Sequence, residues 1–224
     1  MIIAIAVIGI ILQGTFIFVE HKEKYVLADI LKGSAALMFV VIGYLGYSGV
    51  SADSLGKKIF IGLIFGMVGD ILLNLRFVFK EIGQKIFLVG ILSFLIGHIL
   101  YLAALVPLAG ANLLSDVFVG AILAITLLSY IFKTMDVKTA FKIFGVFYLG
   151  AVIIMTVMAV QVAISTQNVH DIVYAIGAVL FTASDIVLIF NTFSGVTKFS
   201  LRITNLSLYY AGQLMIAGSL FLAR

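Results

Sequence analysis

One stretch of this sequence, residues 58–76, reads KIFIGLIFGMVGDILLNLR. It is long enough to cross a bilayer as a helix, which takes about 20 mostly apolar residues, yet it carries the carboxylate Asp70 well inside it. A second aspartate, Asp185, lies 115 residues further on in a near-matching context, since residues 69–73 read GDILL and residues 184–188 read SDIVL. A charged side chain at the centre of a membrane-spanning helix costs roughly 2.5–3.5 kcal/mol on insertion scales, so the pair indicates a functional site.

The rest of the chain has the composition of an integral membrane protein. Of its 224 residues, 63% are hydrophobic and 11% are charged, and the mean hydropathy is +1.27. The basic residues behind the net charge of +4 are scattered through short connections, so we expect no nucleic-acid partner. The absence of cysteine excludes disulfides, a thiolate nucleophile and a cysteine metal site. We interpret the first apolar stretch as a retained helix, because it lacks the basic region and cleavage motif of a signal peptide.

The apolar segments predict an all-α integral membrane protein, with a single transmembrane domain of residues 1–224 built as a bundle of eight transmembrane helices. The expected bounds of these helices are 1–19, 28–50, 58–76, 86–106, 115–133, 140–163, 171–190 and 204–222. Gly62, Gly66 and Gly69 have the spacing of small residues at helix contacts, and we expect them to let the third helix approach a neighbour closely.

The positions of lysine and arginine predict the orientation, because such residues accumulate in cytoplasmic loops. One set of connections carries only Lys57 and Lys58, with Arg224 at the terminus on the same side. The opposite set should be cytoplasmic, and it holds Lys22, Lys24, Arg76, Lys80, Lys85, Lys133, Lys138, Lys142, Lys198 and Arg202. We therefore expect both termini to lie outside, in a bacterial plasma membrane.

The two halves, about residues 1–110 and 111–224, are predicted to form a tandem repeat. A shift of 115 residues carries Asp70 onto Asp185 and His98 onto Gln213. Each half holds four helices, an even number, so the two units of this 4+4 repeat would run parallel.

The two aspartates lie five or six residues, or about 8–9 Å of helical rise, before their helices reach the cytoplasmic side, so they should share a depth. Each polar neighbour also has a structural interpretation, as a link between helices, a packing aromatic or a side chain that snorkels to the headgroups. Only one of the three histidines is deep, and we expect no metal and no cofactor. The polar residues expected near the aspartates are Lys32, Asn74, His98, Tyr101, Tyr148, Tyr209 and Gln213.

Five parts of the chain, which together extend over nearly all of it, carry a resemblance to a known family. They are Lys32 at the start of the second helix, GMVGDILLN at 66–74, FLIGHILY at 94–101, GAVLFTASDIVL at 177–188 and YYAGQ at 209–213. In these parts the chain resembles the YhhN family of eight-helix membrane proteins, whose animal members include the lysoplasmalogenases. The family usually has proline after the lysine, where this chain has Gly33. This chain keeps both aspartates, which favours an active member.

The resemblance implies a membrane hydrolase that cleaves the vinyl ether bond of lysoplasmalogens, with a lysophospholipid substrate drawn from the surrounding membrane lipid. The products would be a fatty aldehyde and a glycerophospho-ethanolamine or -choline. Such hydrolysis needs an acid, a nearby anion and a positioned water, and two carboxylates in unlike environments can supply these acid/base roles. Asp70 and Asp185 would form the catalytic dyad, and either of them could be the acid.

The resemblance also suggests roles for the supporting residues. His98 and Gln213 would orient the aspartates or the water, with Asn74 as hydrogen-bonding support. Lys32 would lie near the lipid phosphate, and Tyr148 and Tyr209 would line the pocket.

Other functions fit the same residues. A proton-coupled transporter or lipid translocator could use the two intramembrane aspartates, since parallel repeats with polar groups near the midplane occur in transporters. A membrane scaffold without enzymatic activity is a second alternative. A third keeps the hydrolase but changes its substrate to another lysolipid ether or a small epoxide.

Overall fold

The computed structural model describes residues 1–48, 54–195 and 197–222, and in these ranges the chain is helical, with short connections and no strand. Residues 49–50 of the second expected segment, and Arg224, lie outside the described residues. Single turns of 3₁₀ helix, Lys80–Ile82 and Gly110–Asn112, precede the fourth and fifth α-helices. The α-helices are α1 (Ile2–His21), α2 (Tyr25–Tyr47), α3 (Ser54–Leu75), α4 (Gly83–Ala109), α5 (Leu113–Thr134), α6 (Thr139–Thr166), α7 (Val169–Phe193) and α8 (Phe199–Leu222).

Six segments of the described chain are long and apolar enough to cross a membrane, and one of them, Lys80–Thr134, contains both α4 and α5. Seven α-helices of the described chain therefore qualify as spans by length and composition, so the prediction of eight is wrong for these residues. The expected span 204–222 does form a helix, α8, but α8 is not among the qualifying segments. The physical reason is its polar content, which includes Asn205 and Gln213, both buried inside the bundle.

The outer surface of the bundle is apolar, as a bilayer requires. Ile3 is 80% exposed, Phe118 67% and Ile125 64%. Soluble monomers rarely expose extended apolar surface of this kind, because water would not solvate it favourably. Together with the long apolar helices, this surface defines a membrane protein.

The glycines of α3 allow the close helix contacts that the sequence predicts. A Cβ atom added to Gly69 would lie 2.6 Å from the Phe94 ring of α4, and one added to Gly66 would lie 2.9 Å from Nε2 of Gln213 in α8. Gly62 lies against the ring of Tyr101. Any larger side chain at these positions would push a neighbouring side chain away, so the prediction of close approach is confirmed.

The two halves of the bundle use equivalent helix pairs. α1 packs on α2 as α5 does on α6, and α3 packs on α4 as α7 does on α8. The last two pairs cross at glycines, because a Cβ atom on Gly97 would lie 3.0 Å from the Gly62 oxygen and one on Gly212 would lie 2.8 Å from the Gly177 oxygen. These crossings are 115 residues apart, the offset of the two aspartates. The parallel repeat itself stays a prediction.

The central core joins six of the helices, α2, α3, α4, α6, α7 and α8, around fully buried residues such as Phe39, Met155, Phe181 and Ile216. A smaller apolar cluster, which includes Leu128 and Ile153, joins α5 to α6. Between these two clusters the helices leave a pocket, and the predicted site lies along its wall.

Candidate active site

Both intramembrane aspartates line this single pocket, although 115 residues separate them in the chain. Asp70 comes from α3 and Asp185 from α7, and each residue is only 4% exposed. Most of the remaining wall is apolar, and its members are Phe16, Leu73, Phe87, Ile91, Phe94, Leu128, Ile131, Phe132, Val137, Phe141, Leu149, Phe181, Leu188, Ile189, Phe193 and Leu206.

Asp70 has a cationic partner. The ammonium nitrogen of Lys32 lies 3.2 Å from Oδ1 of Asp70, and the Tyr209 hydroxyl donates a hydrogen bond of 2.7 Å to Oδ2. Both carboxylate oxygens are therefore engaged by groups that favour the ionised form. Of the two aspartates, Asp70 is thus the one with a cationic partner among the described residues.

Lys32 is itself held by aromatic rings. Its ammonium nitrogen lies 4.5 Å from the centre of the Tyr209 ring and 5.2 Å from that of Phe16, and the residue is 4% exposed. Such cation–π contacts stabilise a desolvated ammonium group. Lys32 is therefore a buried partner of Asp70, deeper than a side chain that snorkels to the headgroups.

Asp185 has different surroundings. The Tyr148 hydroxyl donates a hydrogen bond of 2.6 Å to its Oδ2. Among the described residues, no basic side chain lies within 4.0 Å of the Asp185 carboxylate. A buried charge without a paired charge is costly, so this environment suits the neutral carboxylic acid better than the anion.

Three predicted site residues lie behind the pocket wall. Tyr101 donates to Oε1 of Gln213 at 3.4 Å, and Nε2 of Gln213 donates to the Tyr209 hydroxyl at the same distance. This chain of hydrogen bonds ends at Asp70 through Tyr209. Tyr101 and Gln213 therefore support the residue that binds Asp70 and do not line the pocket themselves.

His98 also lies behind the wall. Its Nδ1 lies 2.7 Å from the backbone oxygen of Phe94, while its Nε2 is buried with no partner in the described chain. Its ring packs 4.6 Å from the ring of Phe181 and edge-on to Tyr148 at 5.6 Å. The contacts of His98 are thus with the aromatic frame around Asp185 and not with either carboxylate.

Asn74 lines the pocket, but its hydrogen bonds point away from Asp70. With its amide oriented to satisfy both neighbours, the nitrogen donates to Oε1 of Glu20 at 2.9 Å and the oxygen accepts from the Asp29 backbone at 3.1 Å. Glu20 also receives two hydrogen bonds from Arg202, at 2.6 and 3.0 Å. Asn74 therefore belongs to a polar belt that joins α1, α2, α3 and α8.

The structure brings most of the predicted residues together and adds others. Lys32, Asn74, Tyr148 and Tyr209 line the same pocket as the two aspartates. The polar lining residues that the sequence did not single out are Arg76, Thr192, Arg202 and Asn205. Among the described residues, no group of three or more histidines, aspartates and glutamates could hold a metal ion.

The fold and the geometry of the site define a class of protein, an all-helical membrane protein with two buried aspartates on one mostly apolar pocket. The model of the YhhN family matches residues 27–220, so the chain belongs to the YhhN family. No curated protein and no solved structure matches the chain.

Proposed function

We propose that this protein hydrolyses the vinyl ether bond of lysoplasmalogens, releasing a fatty aldehyde and a glycerophospho-ethanolamine or -choline. One observation carries the proposal: two buried carboxylates with unlike partners line one pocket whose other walls are mostly apolar. Membership of the YhhN family supports a membrane protein of this kind. The pocket would hold the hydrocarbon chain of the lipid against its apolar wall and the ether bond beside the aspartates.

The reaction begins with transfer of a proton to the β-carbon of the vinyl ether. A new C–H bond forms from the electrons of the double bond, and the resulting cation is shared between the α-carbon and the ether oxygen. Water then attacks the α-carbon and loses a proton to a carboxylate, which gives a hemiacetal. The hemiacetal hydroxyl then loses its proton to a carboxylate and forms the aldehyde C=O bond, while the bond between the α-carbon and the ether oxygen breaks and that oxygen takes a proton from a carboxyl group, which releases the glycerol alcohol.

The two aspartates have the partners that these roles need. Asp185 would donate the first proton, since the one side chain of the described chain that forms a hydrogen bond with its carboxyl group is the neutral Tyr148 hydroxyl. Asp70, held ionised by Lys32 and Tyr209, would stabilise the cation by its negative charge. General acid catalysis by a positioned carboxyl group typically contributes about 10²–10⁴-fold in rate. In other enzymes, unlike environments also make one carboxyl group the acid and keep the other ionised.

The direct test is product release by the purified protein in detergent. We expect fatty aldehyde from a vinyl ether lysophospholipid and none from the saturated alkyl ether analogue, which has no double bond to protonate. A variant with both Asp70→Asn and Asp185→Asn serves as the background control. A folded wild type that releases no more aldehyde than this double variant would contradict the proposal.

A second candidate is a proton-coupled transporter or lipid translocator. The buried pair of Lys32 and Asp70 favours it, because intramembrane ionisable groups also act as proton relays. Uptake of a labelled lysolipid into proteoliposomes, driven by a proton gradient and lost in Asp70→Asn, would support transport. Aldehyde release without such uptake would support the hydrolase.

A further inference from the structure

Arg76 occupies a distinctive position on the pocket wall, directly after the end of α3. The centre of its guanidinium group lies 4.6 Å from the Phe77 ring and 4.2 Å from the Phe87 ring. Contacts with two aromatic rings restrict the orientation of the planar group and leave its N–H edge as the hydrogen-bonding surface. Phe87 also lines the pocket, so this arrangement is part of the wall itself.

Arg76 is the one pocket-lining cation without a carboxylate partner among the described residues. Lys32 is paired with Asp70, and Arg202 is paired with Glu20 through two hydrogen bonds. Arg76 forms no ion pair in the described chain, and its Nε atom is buried without a hydrogen-bond partner. A guanidinium group stays protonated in proteins, so the wall carries a positive charge with no carboxylate within 4.0 Å in the described chain.

We infer that Arg76 forms an anion subsite that binds the phosphate of a phosphate-ester lipid, the lysophospholipid whose ether bond faces the aspartates. The inference rests on the proposed function, and it identifies the group that anchors the substrate. A planar guanidinium matches the geometry of phosphate oxygens with two parallel N–H donors, which a lysine ammonium does not. Lys32, which the family resemblance suggested for this role, is engaged by Asp70.

The spacing between Arg76 and Asp70 fits such a lipid. Arg76 is six residues beyond Asp70, five of them within α3, which places it roughly 8–9 Å further along the helix axis. In a lysoplasmalogen, seven bonds separate the β-carbon of the vinyl ether from the phosphorus atom. An extended zigzag chain advances about 1.2 Å per bond, so seven bonds span roughly 8–9 Å. A phosphate at Arg76 therefore leaves the vinyl ether at about the depth of Asp70.

Binding of uncleavable ligands tests the subsite without relying on catalysis. The two probes are an alkyl ether lysophosphocholine and the corresponding 1-alkylglycerol, which lacks the phosphate, measured by titration of the purified protein in detergent. We expect Arg76→Gln to weaken binding of the phospholipid by at least about tenfold and to change that of the alkylglycerol less than twofold, since hydrogen bonds to charged groups are the strong ones. Arg76→Lys should recover part of the loss.

Lys80→Gln is the matched control, because Lys80 lies at the same boundary, is exposed and does not line the pocket. We expect it to bind both probes as the wild type does. Equal losses for both probes in Arg76→Gln would mean a purely structural role, and unchanged phospholipid binding would mean no role. Either outcome would overturn the inference.

Inorganic phosphate, titrated without lipid, distinguishes a lipid headgroup from a free anion. We expect it to bind at least about tenfold more weakly than the phospholipid, because it has no chain to bury in the apolar wall. Binding as tight as that of the lipid would assign the subsite to free phosphate and overturn the assignment to a headgroup. Arg76-dependent lipid binding by a protein that releases no aldehyde would contradict the proposed function alone.

Discussion

The surroundings of Asp70 and Asp185 differ although their sequence contexts nearly match. Each carboxylate accepts a hydrogen bond from one tyrosine, Tyr209 for Asp70 and Tyr148 for Asp185, at 2.7 and 2.6 Å. The difference is Lys32, which lies 3.2 Å from Asp70 and has no counterpart beside Asp185 among the described residues. One cation therefore distinguishes the two carboxylates chemically, and in the proposed reaction it makes Asp70 the anion and leaves Asp185 as the acid.

The largest effect should come from removing the proposed acid. We expect Asp185→Asn to lower kcat for vinyl ether hydrolysis by about 10²–10⁴-fold, the usual contribution of a general acid. Asp116→Asn is the matched control, because Asp116 is also a buried aspartate but lies outside the pocket, and it should retain near-normal kcat. A folded Asp185→Asn protein with more than a tenth of the wild-type kcat would refute the role of Asp185 as acid.

The ion pair between Lys32 and Asp70 should also make substitutions around Asp70 more costly in free energy of unfolding than substitution of Asp185. Lys32→Met leaves the Asp70 carboxylate buried without its cation, and breaking a buried pair in this way costs about 3–5 kcal/mol in free energy of unfolding. Adding Asp70→Asn to Lys32→Met should restore most of this loss, because no unpaired charge remains. Titration with SDS in mixed micelles measures the free energy of unfolding of both variants.

Asp185→Asn, which breaks no ion pair, is the comparison for this series and should change the unfolding free energy less than Lys32→Met. If Lys32→Met were no less stable than Asp185→Asn, the distinction between a paired and an unpaired carboxylate would be wrong.

The smallest expected effect is the difference in unfolding free energy between variants that lack the Tyr209 hydroxyl and variants that lack the Tyr148 hydroxyl. Tyr209→Phe removes a hydrogen bond to an ionised carboxylate, worth about 1.5–3 kcal/mol, whereas Tyr148→Phe removes one to a neutral acid, worth about 0.5–1.5 kcal/mol. We therefore expect Tyr209→Phe to lower the unfolding free energy more, by the same SDS titration. A larger loss of unfolding free energy in Tyr148→Phe than in Tyr209→Phe would contradict the account, because it would mean that Asp185 is the ionised residue and Asp70 the neutral one.

The sequence predicted the helices and singled out the two distant aspartates that line one pocket, because apolar length and a buried charge are strong local signals. It also predicted the glycine contacts of α3. It overestimated α8 as a span, because polar residues such as Asn205 and Gln213 lower the hydropathy of that helix.

Arg76 escaped prediction because a basic residue at a helix end normally faces headgroups and reports only orientation. Its position on the pocket wall depends on its contacts with Phe77, in the turn after α3, and with Phe87 of α4. Lys32 was expected near the aspartates and a lipid phosphate, but its ion pair with Asp70 was not predicted, because the sequence carries no signal of which side chain of α3 it will meet. The sequence therefore did not predict which long-range contacts the side chains of Arg76 and Lys32 form.

The central claim, that one carboxyl group of the pair is protonated while the other is ionised, is open to direct measurement by infrared spectroscopy of the protein in lipid at neutral pH. We expect a carbonyl band of a protonated carboxyl group that disappears in Asp185→Asn and persists in Asp70→Asn. Loss of the band in Asp70→Asn instead, or spectra in which neither substitution removes a protonated carboxyl, would contradict the account.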